Sequence, residues 1–146
     1  MRAVVQRVLN ASVSIDSKVV SQIDKGLLVF IAVAPDDTDK EARWLSSKIL
    51  KLRVFADEND KMNKSILDIN GEILLVSQFT LYGSCRKGNR PSFTGSAGPD
   101  VAIPLYEQFS TLLEEHEVKV STGVFGADMA VRLVNDGPVT LVIDTP

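Results

Sequence analysis

Ile73-Leu74-Leu75-Val76-Ser77-Gln78-Phe79-Thr80-Leu81-Tyr82-Gly83 is the stretch on which the fold turns. Its four leading aliphatic residues run without a polar break. A strand with one wet face would alternate, so residues 73–76 read as a strand buried on both faces. Ser77, Gln78 and Thr80 then gather where the aliphatic run ends. Ligand sites in sheet proteins lie just past the end of such a strand. The plainer reading is that these side chains bond to neighbouring backbone and stop the strand. The residues alone leave both open.

A second run, Leu27-Leu28-Val29-Phe30-Ile31-Ala32-Val33, is also apolar on both faces and predicts a second buried strand. Around these two, residues 2–9 and 11–16 predict strands. The second of them shows period two, with Val13 and Ile15 alternating with Ser12, Ser14 and Asp16. A turn at Asp16-Ser17-Lys18 leads to a return strand over residues 19–23. Thr38-Asp39-Lys40-Glu41 fits a capping box, and Ala42, Leu45, Ile49 and Leu52 follow at helical spacing. That predicts an amphipathic helix over 39–52. Residues 53–55 predict a short strand, and Asp68-Ile69-Asn70-Gly71 a turn that launches the central strand. Pro99 opens a second helix, with Leu105, Phe109, Leu112 and His116 on one face to about residue 116. Residues 118–120, 129–135 and 139–144 predict the last strands. Repeats, linkers and low-complexity segments are absent, so residues 1–146 read as a single α/β domain.

The totals narrow the chemistry. Hydrophobic residues make up 45% and charged residues 24%, which excludes a disordered chain. No apolar run approaches the roughly 20 residues a membrane helix needs. The opening Met1-Arg2-Ala3-Val4-Val5-Gln6-Arg7 lacks a signal-peptide pattern, so a cytoplasmic location is expected, with no membrane partner. The one cysteine, Cys85, excludes an internal disulfide. The one histidine, His116, stands among Glu114, Glu115 and Glu117 and reads as a solvated helix-end residue. A Ser-His-Asp triad would have to use it. One Cys and one His cannot supply a structural zinc site. Asp57, Glu58 and Asp60 lack the glycine and closing glutamate of a calcium loop. Catalysis here therefore leans on backbone, hydroxyls, amides or the substrate, with no metal and no cofactor expected.

Two further segments carry chemistry. In Cys85-Arg86-Lys87-Gly88-Asn89-Arg90-Pro91-Ser92-Phe93 three cations fall within five residues of a chain of net charge -3. Arg86, Lys87 and Arg90 suit phosphates or an RNA backbone, and Phe93 suits stacking on a base. A solvated loop and a core aromatic are the plainer readings. In Asn135-Asp136-Gly137-Pro138-Val139-Thr140 the plain reading is a hairpin turn. The alternative is that Gly137-Pro138 presents bare carbonyls that accept from an ammonium group.

Taken together, Val76-Ser77-Gln78-Phe79-Thr80-Leu81 and Asn135-Asp136-Gly137-Pro138-Val139-Thr140 resemble the D-aminoacyl-tRNA deacylase family, also called D-tyrosyl-tRNA deacylase. The resemblance extends to residues 2–14, to Gly26-Leu27-Leu28-Val29, Lys61-Met62-Asn63 and Arg90-Pro91-Ser92-Phe93, and to Phe125-Gly126-Ala127-Asp128-Met129. It runs through the chain in order.

The resemblance implies layered, mixed β-sheets with helices packed outside, and a homodimer. It implies hydrolysis of the ester joining a D-amino acid to the tRNA 3′ end, and of glycine mischarged on tRNA-Ala. Ser77, Gln78, Phe79 and Thr80 would form the catalytic stretch, with the Phe79 and Thr80 amides facing the ester carbonyl. Thr80 lacks a base to activate it, which favours attack by water. Gly137 and Pro138, joined by a cis bond, would enter the partner subunit's pocket and hold the α-amino group. Arg7 and Met129 would brace that loop. The chain departs from the family at Gly83-Ser84-Cys85, where Ala-Asp-Thr is usual, at Val124, often arginine, and at Leu9-Asn10, often threonine-arginine. Those departures bear on which tRNA ends are preferred. An RNA-binding module without turnover, using residues 86–90, and a small-molecule hydrolase or lyase are the competing readings.

Overall fold

A computed structural model describes residues 1–146. In chain order the elements are β1 (Arg2–Ile15), β2 (Lys18–Ile23), β3 (Gly26–Ala32), α1 (Asp39–Leu50), β4 (Phe55–Ala56), β5 (Met62–Lys64) and β6 (Glu72–Ser77). A 3₁₀ turn (Phe79–Tyr82), α2 (Pro99–Glu114), β7 (Lys119–Thr122) and β8 (Ala130–Asp144) complete the chain.

The two aliphatic runs lie side by side. β3 and β6 pair in parallel from Gly26↔Glu72 to Ile31↔Ser77, and β7 adds a further parallel strand beyond β6. Their side chains alternate between two cores, which is why neither run can afford a polar residue. Val5, Leu27, Val29, Ile73 and Leu75 point to the layer under the helices, against Leu45 and Ile49 of α1 and Phe109 and Leu113 of α2. Leu28, Leu74 and Val76 point the other way, onto Val8, Ala11, Val13 and Ile23. Each fully buried aliphatic side chain contributes about 1.5–3 kcal/mol.

The second core exists because β1 is long. Its first half pairs with β3 and its second half with β2, while β8 follows it almost throughout. The sheet order is β2-β1-β3-β6-β7, with β8 on β1. The far half of β1, with β2 and β8, forms a second layer against the opposite face of β3 and β6. The expected layered α/β architecture is thus present. Two strands over 2–9 and 11–16 are not: β1 is continuous, and a register irregularity between Val8 and Asn10 takes the place of a break.

Thr38 caps α1 as its sequence requires. Its hydroxyl accepts from the Lys40 N–H at 3.3 Å, and the Glu41 carboxylate accepts from the Thr38 N–H at 2.8 Å. α1 ends at Leu50 and α2 at Glu114, each two residues short of expectation. At the start of β3, Gly26 lies so close to the neighbouring strand that a Cβ there would sit 1.8 Å from the Glu72 carbonyl oxygen. Only glycine permits that approach.

The last correction concerns residues 129–144. The expected pair of strands joined by a turn is one strand, β8. Gln6 pairs with Thr140 and Val8 with Asn135. Between those pairs β1 spends Arg7 alone, whereas β8 spends residues 136–139. The surplus leaves the ladder as a bulge, a device that re-aims backbone without ending a strand. Asp-Gly-Pro carries turn chemistry in either setting, so the sequence could not tell bulge from hairpin.

Candidate active site

The Gln78 N–H continues the β6 edge by donating to the Ile31 carbonyl at 2.8 Å. The chain then tightens into the 3₁₀ turn, in which the Leu81 N–H bonds to the Gln78 carbonyl at 3.2 Å and the Gly83 N–H to the Thr80 carbonyl at 2.9 Å. The N–H groups of Phe79 and Thr80 open this turn and have no acceptor in the chain. The Gln78 side-chain amide donates to the Thr80 hydroxyl at 2.5 Å. No carboxylate or imidazole bonds that hydroxyl, so nothing in the chain withdraws its proton.

Arg2 fixes the turn from β1. Its guanidinium donates to the Leu81 carbonyl at 3.0 Å, pairs with Asp144 at 2.7 Å and lies over the Tyr82 ring, 5.1 Å from its centroid. The Arg2 hydrogen bond holds the Asp144 carboxyl below its ordinary range. Burial pushes the Tyr82 hydroxyl up to about 12, keeping it neutral. Sequence reading missed this role of Arg2, whose partners lie 79 and 142 residues away.

Beside the turn lies a cavity of about 490 Å³. Ser77, Gln78 and Phe79 form one wall, the ends of β3 and β6 the floor, and Tyr106, Phe125 and Met129 the apolar sides. Tyr106 is held by a 3.1 Å hydrogen bond from its hydroxyl to the Leu75 carbonyl, and burial raises its pKa to about 12. Its edge-to-face contact with Phe125, centroids 5.8 Å apart, shapes one side. Met129, expected to brace the Gly-Pro loop of a partner subunit, lines this cavity. Tyr106 and Phe125 carried no polar signal in the sequence, only helical spacing and a loop aromatic.

Gly137 and Pro138 do not line the cavity of their own chain. Their peptide bond is cis, and both residues are exposed. Gly137 has φ +120°, a region that favours glycine, and a Cβ there would meet the Arg7 guanidinium at 2.7 Å. Arg7 braces the bulge, with Nε donating to the Asp136 carbonyl at 3.2 Å and pairing with its carboxylate, and Nη1 donating to the Val54 carbonyl at 2.6 Å.

Phe93 stacks edge-to-face on Phe79 with centroids 5.2 Å apart, so it extends the exposed apolar rim and does not enter the cavity. The segment between them is pinned by paired backbone bonds between Ser84 and Ser92. Arg86, Lys87 and Arg90 lie on the loop so formed, exposed and without an ion-pair partner in the chain. No three His, Cys, Asp or Glu side chains converge as metal ligands would, and no helix is long and apolar enough to cross a membrane.

Free backbone amides thus stand beside a largely apolar cavity in a mixed α/β domain. The model of the D-Tyr-tRNA(Tyr) deacylase family matches residues 4–144, and the chain belongs to that family. It is 57% identical over 145 residues to a D-aminoacyl-tRNA deacylase of Thermosipho africanus, covering 99% of this chain and 97% of that one. A protein of the same name from Thermus aquaticus is 55% identical over 145 residues, covering 99% and 95%. Among solved structures, a c-Myc DNA unwinding element binding protein superposes with a TM-score of 0.94 at 42% identity, over 100% of this chain and 99% of that one. A probable eukaryotic D-amino acid tRNA deacylase shares the fold, with a TM-score of 0.84 at 21% identity over 97% of both chains.

Proposed function

We propose that this protein is a D-aminoacyl-tRNA deacylase that hydrolyses the ester between a D-amino acid and the tRNA 3′ end. The observation that carries the reading is the pair of unpartnered N–H groups at Phe79 and Thr80, beside a cavity of about 490 Å³. That volume lies within the range of small-molecule sites, and its apolar walls suit a nucleoside. The terminal adenosine enters between Tyr106, Phe125 and Met129. The ester carbonyl then meets the amides of Phe79 and Thr80. Donors fixed in advance stabilise the negative charge that develops on that oxygen, usually a large catalytic effect.

Water adds to the carbonyl carbon. The bond to the ribose 3′ oxygen breaks, and that oxygen leaves with a proton as the tRNA hydroxyl. The neighbouring ribose 2′-hydroxyl assists the proton transfer. Ser77 and Gln78 shape the wall, and Gln78 holds Thr80 as a positioning group. Selection comes from a second copy of the chain. Its Gly137 and Pro138 carbonyls accept from the α-ammonium, and an L side chain would run into that backbone. Their absence from their own chain's cavity supports an arrangement across a homodimer. Glycine offers no side chain to reject, so glycyl-tRNA is accepted as well. Arg86, Lys87 and Arg90 follow the RNA backbone, and Phe93 widens the stacking surface at Phe79. The reaction is placed in the cytoplasm, where charged tRNA is used.

The experiment is hydrolysis of D-Tyr-tRNA against L-Tyr-tRNA by purified protein. Release of the D amino acid alone is expected. Binding of either tRNA without release would instead support a module that holds nucleic acid through the unpaired cations of residues 86–90. The name of the 42%-identical DNA-element-binding protein gives that second reading its weight.

A further inference from the structure

The bulge in β8 is held on two sides, and the side opposite Arg7 rests on one side chain. Asn135 is the last paired residue before the bulge. Its Nδ2 donates to the Val139 carbonyl at 3.0 Å, closing the base of the loop, and to the Arg7 carbonyl on β1 at 2.9 Å. Both carbonyls lie at the bulge: Val139 is the last of its surplus residues, and Arg7 faces those residues from β1. The Asn135 Oδ1 accepts from the Thr140 hydroxyl at 3.2 Å, which in turn accepts from the Gln6 side-chain amide at 3.2 Å. The amide orientation follows from these partners, because the flipped form would set Oδ1 against two carbonyl oxygens.

We infer that the Asn135 carboxamide is a positioning residue for chiral discrimination. It sets the direction of the Gly137 and Pro138 carbonyls from the base of the bulge, with Thr140 and Gln6 fixing the amide plane. This rests on the reading that Gly137 and Pro138 meet the substrate's α-ammonium. Arg7 holds the Asp136 end by charge and a long reach; Asn135 joins the Val139 end to β1 through a short, planar group. With only one clamp the loop keeps its place on β1 but swings at its tip. A misplacement of about 1 Å near the reacting centre can cost about a hundredfold.

The test compares D-Tyr-tRNA and L-Tyr-tRNA hydrolysis by the full-length protein carrying Asn135→Asp, which keeps the shape and sets an oxygen against both carbonyls. The D-over-L ratio is expected to fall at least about tenfold, mainly through kcat, with KM for tRNA within about twofold. Thr140→Val loosens only the amide plane and should lower the ratio less, and Thr140→Ser should restore it. A folding defect alone would depress both substrates together and leave the ratio in place. An unchanged ratio in folded Asn135→Asp overturns the inference. If that variant does not fold, an unchanged ratio in Thr140→Val does so. Gly137→Val, run in parallel, separates the two claims. A shifted ratio there with none in the Asn135 and Thr140 variants sinks only the positioning role. No shift in any of them sinks the assignment of Gly137 and Pro138 too.

Discussion

The two regions assigned to the reaction are built on opposite terms. The cavity and its turn sit at the ends of β3 and β6, strands buried on both faces, and inherit their shape from packing. The Gly137-Pro138 bulge sits on β8, where every residue is at least partly exposed, and keeps its shape through hydrogen bonds from Arg7 and Asn135. Disturbing the first region should cost stability before selectivity. Disturbing the second should cost selectivity and leave the fold standing.

The largest effect is expected from Leu75→Ala. Leu75 is fully buried, and its carbonyl anchors Tyr106. Truncation there should cost about 2–5 kcal/mol in urea unfolding, and a loss under 1 kcal/mol would show that packing does not shape the cavity. Gly137→Val comes next. Its side chain meets Arg7 in a backbone conformation that disfavours it, so the D-over-L ratio should fall about a hundredfold while the unfolding midpoint drops less than in Leu75→Ala. An unaltered ratio would remove the bulge from the chirality argument. Thr80→Ala deletes only the hydroxyl that Gln78 holds. A drop of about tenfold in kcat is expected; single-turnover assays showing complete loss in a folded variant would make Thr80 the nucleophile.

The smallest effect is a pH dependence in the packed region, far from the bulge. The Lys119 ammonium, and then the Asp24 N–H, hold the Glu72 carboxyl below its ordinary value of 4.5. A carboxyl lowered on folding stabilises the protein above that ordinary value, and the benefit fades as pH falls through the lowered one. Because Lys119 is largely exposed, solvent screening keeps the contribution below about 1 kcal/mol. Unfolding followed from pH 6 to 3 should show a shallower decline in Glu72→Gln than in wild type; parallel curves would contradict the pairing.

The same contrast explains what could be read from the sequence. Uninterrupted aliphatic runs announced β3 and β6, and the Thr38–Glu41 pair announced α1, because burial and capping are written in adjacent residues. Ser77, Gln78 and Thr80 were legible as a polar cluster at a strand end; Ser77 and Gln78 line the cavity, and Thr80 stands in the adjoining turn. The continuity of β8 was not, since a bulge and a hairpin use the same Asp-Gly-Pro vocabulary. Nor were the roles of Arg2 and Asn135, whose decisive partners lie 79 and 128 residues away.

Gly26 carries a consequence well removed from either region. Its backbone lies almost against Glu72, at the opposite end of the strand pair whose other end leads into the Phe79–Tyr82 turn. A methyl group there would wedge the two strands apart at their root. Ile31, which holds the Gln78 N–H, lies five residues on, about 17 Å along the strand. A Gly26→Ala change would thus disturb the turn from a distance, with every residue of the proposed site intact.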